Sequence, residues 1–89
     1  MKIIEAVRQI ENLDSKATLF VRQPWTPDSE TALAVEGTAE EERIRGEGMS
    51  YFLEVTVAKD FLIGLKDTRR KAPHAGQLCK RLIEYAANG

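Results

Sequence analysis

Cysteine is all but missing from this chain: among 89 residues Cys79 stands alone, so no disulfide can close within it, and the paired spacings that make zinc sites are absent. That usage fits a reducing compartment. Histidine is as scarce, with His74 the only one, and nucleophilic catalysis needs a base held beside its nucleophile. His74 and Cys79 point in different directions on a shared helix, so they read as a histidine near a helix N-terminus and a small half-buried apolar side chain. There is no glycine-rich phosphate loop either: Gly46-Glu47-Gly48 is short and acidic, and lacks the lysine and helix that should follow. No metal or cofactor is expected, and the balance of these absences is against an enzyme.

Long apolar runs are also lacking. None approaches the ~20 residues that cross a bilayer. Met1-Lys2-Ile3-Ile4-Glu5 meets charge almost at once, unlike a signal peptide or anchor. A cytoplasmic protein without membrane contact is the expectation. A net charge of -1 gives no overall pull toward nucleic acid. With 43% hydrophobic and 30% charged residues the composition is nonetheless that of a folding chain, and its length suits a single domain over residues 1–89. So small a domain buries a modest fraction of its surface, which leaves self-association open.

What is present is periodicity that changes along the chain. Ile3, Ala6, Val7 and Ile10 fall on one helical stripe, predicting an amphipathic helix over 2–13. Ala17 to Gln23 alternates and is rich in β-branched and aromatic residues, as a strand is, and Thr31 to Val35 alternates again. Tyr51 to Val57 is the strongest strand pattern, with Tyr51, Leu53, Val55 and Val57 on one face. Helical spacing returns at Ala58, Phe61, Leu62 and Leu65, and a last helix is predicted from Ala75 to Ala87, with Leu78, Leu82, Tyr85 and Ala86 inward. Between the second and third strands, Glu36 to Gly48 has five glutamates and one large apolar residue, Ile44. It reads as a solvated hairpin connection, or as pairing continued to Arg43 or Ile44 with a tighter turn. The expected fold is α+β, in the order α-β-β-β-α-α, with a three-stranded antiparallel sheet packed by helices on one face.

Gln23-Pro24-Trp25-Thr26-Pro27-Asp28-Ser29-Glu30 carries the single tryptophan and two of the three prolines. Proline stiffens this connection, Asp28 and Ser29 offer turn hydrogen bonds, and the indole brings a large apolar face. Two placements of Trp25 follow. It closes a small core as a lid over the sheet end, or it stands at a cleft rim as an anchor. In the second case Arg22, Trp25, Asp28, Glu54 and Tyr51 form a shallow binding site for a small molecule or substrate.

Charge is distributed unevenly. Residues 36 to 60 hold seven acidic and three basic side chains, and residues 61 to 89 hold six basic and two acidic. Glu40, Glu41 and Glu42 face different ways, so they suit a charged surface rather than acid-base or metal chemistry. With Arg69, Arg70 and Lys71 they are the candidate interaction surface, toward a charged partner or head to tail between two copies. The alternative is that the two regions cancel each other or are simply solvated. The basic residues come without a recognised module or interleaved aromatics, so nucleic acid is not the expected partner.

Ala17 to Val21, the Pro24-Trp25-Thr26-Pro27-Asp28-Ser29-Glu30 run, Tyr51 to Val55 and Cys79 to Ala86 resemble a family of small bacterial proteins classed as a domain of unknown function. The resemblance spans most of the chain except Lys66 to His74. It implies a small bacterial protein of a kind carried on mobile elements such as integron gene cassettes. The resulting expectation is a cytoplasmic protein that acts by binding a protein partner or itself, as a homodimer or in the manner of an immunity protein or antitoxin. A small-ligand binder or enzyme around Trp25 is the alternative.

Overall fold

Thr18 to Arg22 form the central strand, β1, of a computed structural model that describes residues 1–67 and 74–88. β1 is flanked by β2 (Thr31–Ala34) and β3 (Met49–Glu54), both antiparallel to it, in the sheet order β2-β1-β3. Thr18 to Val21 are all buried, so both faces of β1 are covered. Leu19 and Val21, with Phe52 and Leu53, look toward helices α1 (Ile3–Arg8), α3 (Val55–Asp67) and α4 (Ala75–Asn88). The chain is thus α+β, a three-stranded antiparallel sheet with helices packed on it.

The helical stripes bury as their spacing predicts. Ile3, Ala6, Val7 and Ile10 of the first segment meet Val55, Ala58 and Leu62 of α3 and Leu78, Cys79 and Leu82 of α4 in one core cluster. After α1 a short 3-10 turn, Ile10–Asn12, tightens the chain. The start of α3 is tied to the segment before β1. Thr56 Oγ1 donates to the Ser15 carbonyl at 2.8 Å, and Lys59 Nζ to the Leu13 carbonyl at 2.9 Å.

Three parts of the reading change. Residues 39–46, expected within a solvated connection, form helix α2 (Ala39–Gly46) on the face of the sheet away from the other three helices. The order is therefore α-β-β-α-β-α-α, with helices on both faces. Thr38 caps α2 by accepting from the Glu41 amide at 3.3 Å. Acidic residues fill its first turn, and Arg43 and Arg45 its last, as the helix dipole favours. Ile44, 1% exposed, inserts against Phe20, Ala34 and Met49.

The second change is at the end of β3. The strand stops at Glu54, and Val55 and Val57, expected in it, begin α3. A register irregularity between Leu19 and Phe20 pairs Leu19 with Leu53 but Phe20 with Tyr51, which leaves Phe52 as an extra residue. Phe52 and Leu53 then both enter the large core, and strict alternation fails. The third is Tyr85, expected inward but 41% exposed.

Candidate functional site

The Pro-Trp connection folds on its own hydrogen bonds. The Ser29 hydroxyl donates to the Pro24 carbonyl at 2.6 Å and accepts from the Thr26 amide at 2.8 Å. The Ser29 amide donates to the Thr26 carbonyl at 2.9 Å. This compact turn, with a cis Gln23-Pro24 bond, then holds the first helix. The Ile3 amide donates to the Ser29 carbonyl and the Ile4 amide to the Pro27 carbonyl, each at 3.1 Å. Two of the helix-end donors that lack partners within α1 are satisfied this way.

Trp25 is half-buried, and its ring meets Phe52 edge-on with centroids 4.9 Å apart, a favoured aromatic arrangement. The two expected placements are thus partly combined. The indole packs against the core and also walls a cleft. Its Nε1 is buried without a hydrogen-bond partner among the described residues, a group that costs about 1–3 kcal/mol when left unsatisfied.

The cleft, about 710 Å³, lies between Gln23, Pro24 and Trp25 on one side and Ile83, Ala86 and Ala87 of α4 on the other. Past Trp25 and Ala86 it adjoins a second hollow of about 340 Å³ bordered by Tyr51, Phe52, Leu53 and Tyr85. Tyr85 in turn stacks on Phe61, centroids 4.4 Å apart at 22°. It borders a third hollow with Leu65, Arg81, Glu84 and Asn88. Three neighbouring hollows, which share Trp25, Ala86 and Tyr85 in turn, thus border the C-terminal half of α4. Sequence reasoning missed Ile83, Ala86, Ala87 and Phe61 as their lining. The available signal was the small pair Ala86-Ala87, which leaves room beside α4.

The other expected site residues do not gather at this cleft. Arg22 donates to the Glu47 carbonyl at 2.7 Å and pairs with Glu30 at 3.3 Å. Its Nη1 lies 3.0 Å from where a Cβ on Gly48 would be, and Gly48 has a φ of 92°, so only glycine suits that position. Asp28 is exposed and pairs with Lys2 at 3.5 Å. Glu54 lies at the other end of β3 from the Arg22–Met49 pair, opposite Thr18. It lines a separate hollow with Lys16, Glu36 and Thr18. Tyr51 borders the second hollow, not the cleft itself, and meets Phe20 edge-on, centroids 6.5 Å apart. Burial, and then the Glu54 and Glu36 carboxylates, push its phenol pKa up, while the Glu54 amide acts against them.

The acidic candidates are largely engaged within α2. Glu40 pairs with Arg43, and this hydrogen bond holds its carboxyl below the usual range. Glu41 accepts from the Gly37 amide at 2.7 Å and from Arg45 at 2.8 Å, and is lowered for those reasons in that order. Glu42 is exposed. Arg69, Arg70 and Lys71 lie outside the described residues. Cys79 is buried, and burial, followed by the nearby Asp28, pushes its thiol up to about 11, which makes it a poor nucleophile near neutrality. His74 Nδ1 accepts from the Gln77 amide at 3.3 Å at the start of α4. Among the described residues no group of three His, Cys, Asp or Glu side chains could hold a metal ion, and no helix is long and apolar enough to cross a membrane. No protein-family model, no curated protein and no solved structure matches this chain.

Proposed function

We propose that this chain is a cytoplasmic binding protein, not an enzyme, and that it works by holding another polypeptide in the cleft between the Pro-Trp connection and α4. The observation that carries this is the run of neighbouring hollows in which Pro24, Trp25, Ala86, Tyr85 and Phe61 supply the apolar lining. Rigid aromatic side chains of this kind anchor polypeptide interfaces at low entropic cost. The acidic helix is a weaker contact surface for an immunity-like role, because two of its three first-turn carboxylates are bound by arginines of the same helix.

Peptide selection from a random library on the immobilised protein tests this. Enriched peptides should quench or shift Trp25 fluorescence. Their binding should fall about tenfold or more in Ala86→Arg, where a charged side chain fills the cleft. Ala87→Arg, at an exposed position, serves if the first variant lowers the melting temperature. Peptides that bind both variants as well as the parent protein would sink the reading. A small apolar ligand is the second reading, favoured by a cleft volume within the range of about 300–1,000 Å³ usual for such sites. The polar groups expected to orient such a ligand, Arg22, Asp28 and Glu54, are placed elsewhere.

A further inference from the structure

The kind of polypeptide can be specified from the strand that borders the cleft, a step that rests on the reading just given. Among the described residues β3 is paired on one side only, by β1. The opposite edge of the sheet is partly covered, since the Met1 carbonyl accepts from the Thr31 amide at 2.6 Å and Lys2 bridges Glu30. No such cover lies along β3 among the described residues. The bond from the Val55 amide to the Ala17 carbonyl, 3.0 Å, shows which way the backbone turns there. It makes Thr18 and Glu54 a pair whose own amide and carbonyl groups point away from each other. Those of Glu54 therefore face the free edge, where the amide is directed at the Tyr51 phenol and must turn from it to the peptide, while the carbonyl stands open.

The two faces of the sheet then dictate side chains. Leu53 pairs with Leu19 and belongs to the large core, on the side of the cleft. Glu54 pairs with Thr18, whose hydroxyl donates to Glu36 at 3.2 Å, on the side of α2. Successive residues of an added strand point to opposite faces. The residue opposite Leu53 enters the hollow of about 340 Å³ lined by Trp25, Phe52 and Tyr85. Its neighbour opposite Glu54 stands beside the Glu54 carboxylate, with Glu36 farther in on the same face at Thr18 of β1; neither carboxylate has an ion-pair partner among the described residues.

We infer that β3 takes up a short extended peptide antiparallel to itself, in which a lysine or arginine is followed directly by a large apolar residue. Antiparallel pairing matches the rest of the sheet and fixes that order, because the chain opposite Glu54 then precedes the chain opposite Leu53. Main-chain bonds supply affinity in this mode of recognition, and the cleft and the carboxylates supply selectivity.

A second copy of the chain is a poorer occupant. The irregularity at Phe52 interrupts the edge, as bulges do where long edge-to-edge pairing is avoided. A stable dimer needs about 800 Å² from each partner. Of the large hydrophobics most exposed here, Met1, Val35, Tyr51, Ile63 and Tyr85, only Tyr51 and Tyr85 border the hollow beside β3.

The probe is the hexapeptide acetyl-Thr-Lys-Phe-Thr-Val-Thr-amide, titrated against Trp25 fluorescence and against backbone amide shifts of the full chain. Shifts should concentrate at Leu53 and Glu54. N-methylation of the peptide's lysine amide should weaken binding about tenfold, by removing a main-chain bond to Glu54. Replacing that lysine by glutamate should weaken binding about threefold, and the exposed-site variant Glu54→Lys should restore it. Equal affinity of the N-methylated peptide, with Ala86→Arg still abolishing binding, would overturn strand addition and leave the cleft reading standing. Binding of both peptides untouched by Ala86→Arg would remove the cleft reading itself. Concentration-dependent dimerisation that the peptide cannot compete with, and that protects the Glu54 amide, would assign the edge to a second copy instead.

Discussion

On one face of the sheet Leu19, Val21, Phe52 and Leu53 lie under three helices; on the other, Phe20, Ala34 and Met49 lie under α2 and its single inserted isoleucine. The larger face is held by apolar bulk drawn from the sheet and all three helices. The smaller is held by Ile44, by the Thr38 cap and by ion pairs along α2: Glu40 with Arg43, Arg43 with Glu47 at 3.1 Å, and Glu41 with Arg45 at 2.8 Å. The Arg45 guanidinium also stands 5.1 Å from the Phe20 ring centre. Such exposed pairs add little to global stability, but they occupy the charges of α2. The face with the larger core is the one left with an open cleft, because α4 and the Pro-Trp connection meet around small side chains. Binding surface and stabilising core therefore share a face, and the charged helix is peripheral to both.

The sharpest way to break this comparison is Phe52→Ala. Phe52 is buried in the large core and carries Trp25 on its edge, so the substitution should cost about 3–5 kcal/mol in urea unfolding. A loss below about 1 kcal/mol would show that this face is not what holds the fold. A smaller effect concerns Cys79, also in the large core. Its thiol rises from 9.0 to about 11 in the folded chain. A group raised on folding contributes stability that is complete below its unfolded value and is lost as pH climbs through the folded one. Stability should thus decline between about pH 9 and pH 11 by an amount on the order of 2–3 kcal/mol. Cys79→Val should flatten that decline in urea unfolding measured at both ends of the window. An unchanged slope would mean the thiol is not shielded as described.

The least effect belongs to the charged face. Thr38→Ala removes the cap of α2 and should cost about 1 kcal/mol. Amides of residues 42–46 should exchange faster while those of β1 do not. Equal acceleration in β1 would merge the two faces into one cooperative unit.

The same contrast explains what could be read from the residues alone. The stripes of α1 and α4 and the alternation of β1 were legible because several apolar residues repeat the period. α2 was not, since Ile44 is its only large apolar residue and the signal lies in capping and i,i+4 charges. β3 misled because the extra residue at Phe52 shifts the alternation, making Val55 and Val57 look like strand. At the site, Trp25 was legible as important but not its neighbours, because the cleft is formed by α4, about sixty residues later in the chain. Arg22 and Asp28 were grouped with it by sequence proximity, yet each is held by an ion pair, with Glu30 and Lys2.

The Pro-Trp connection has one more consequence. Ser29 and Thr26 hold its turn, the Pro27 and Ser29 carbonyls hold the first helix, and Asp28 and Glu30 hold Lys2 and Arg22. Few of its positions can drift without loosening α1 or β1, however the cleft is used. Across the gap, Ile83 and Ala86 also pack against the core, but Ala87 is exposed and can be exchanged more freely. Lineages of this chain would therefore retune their preference from the α4 wall, against a fixed tryptophan that works as the anvil.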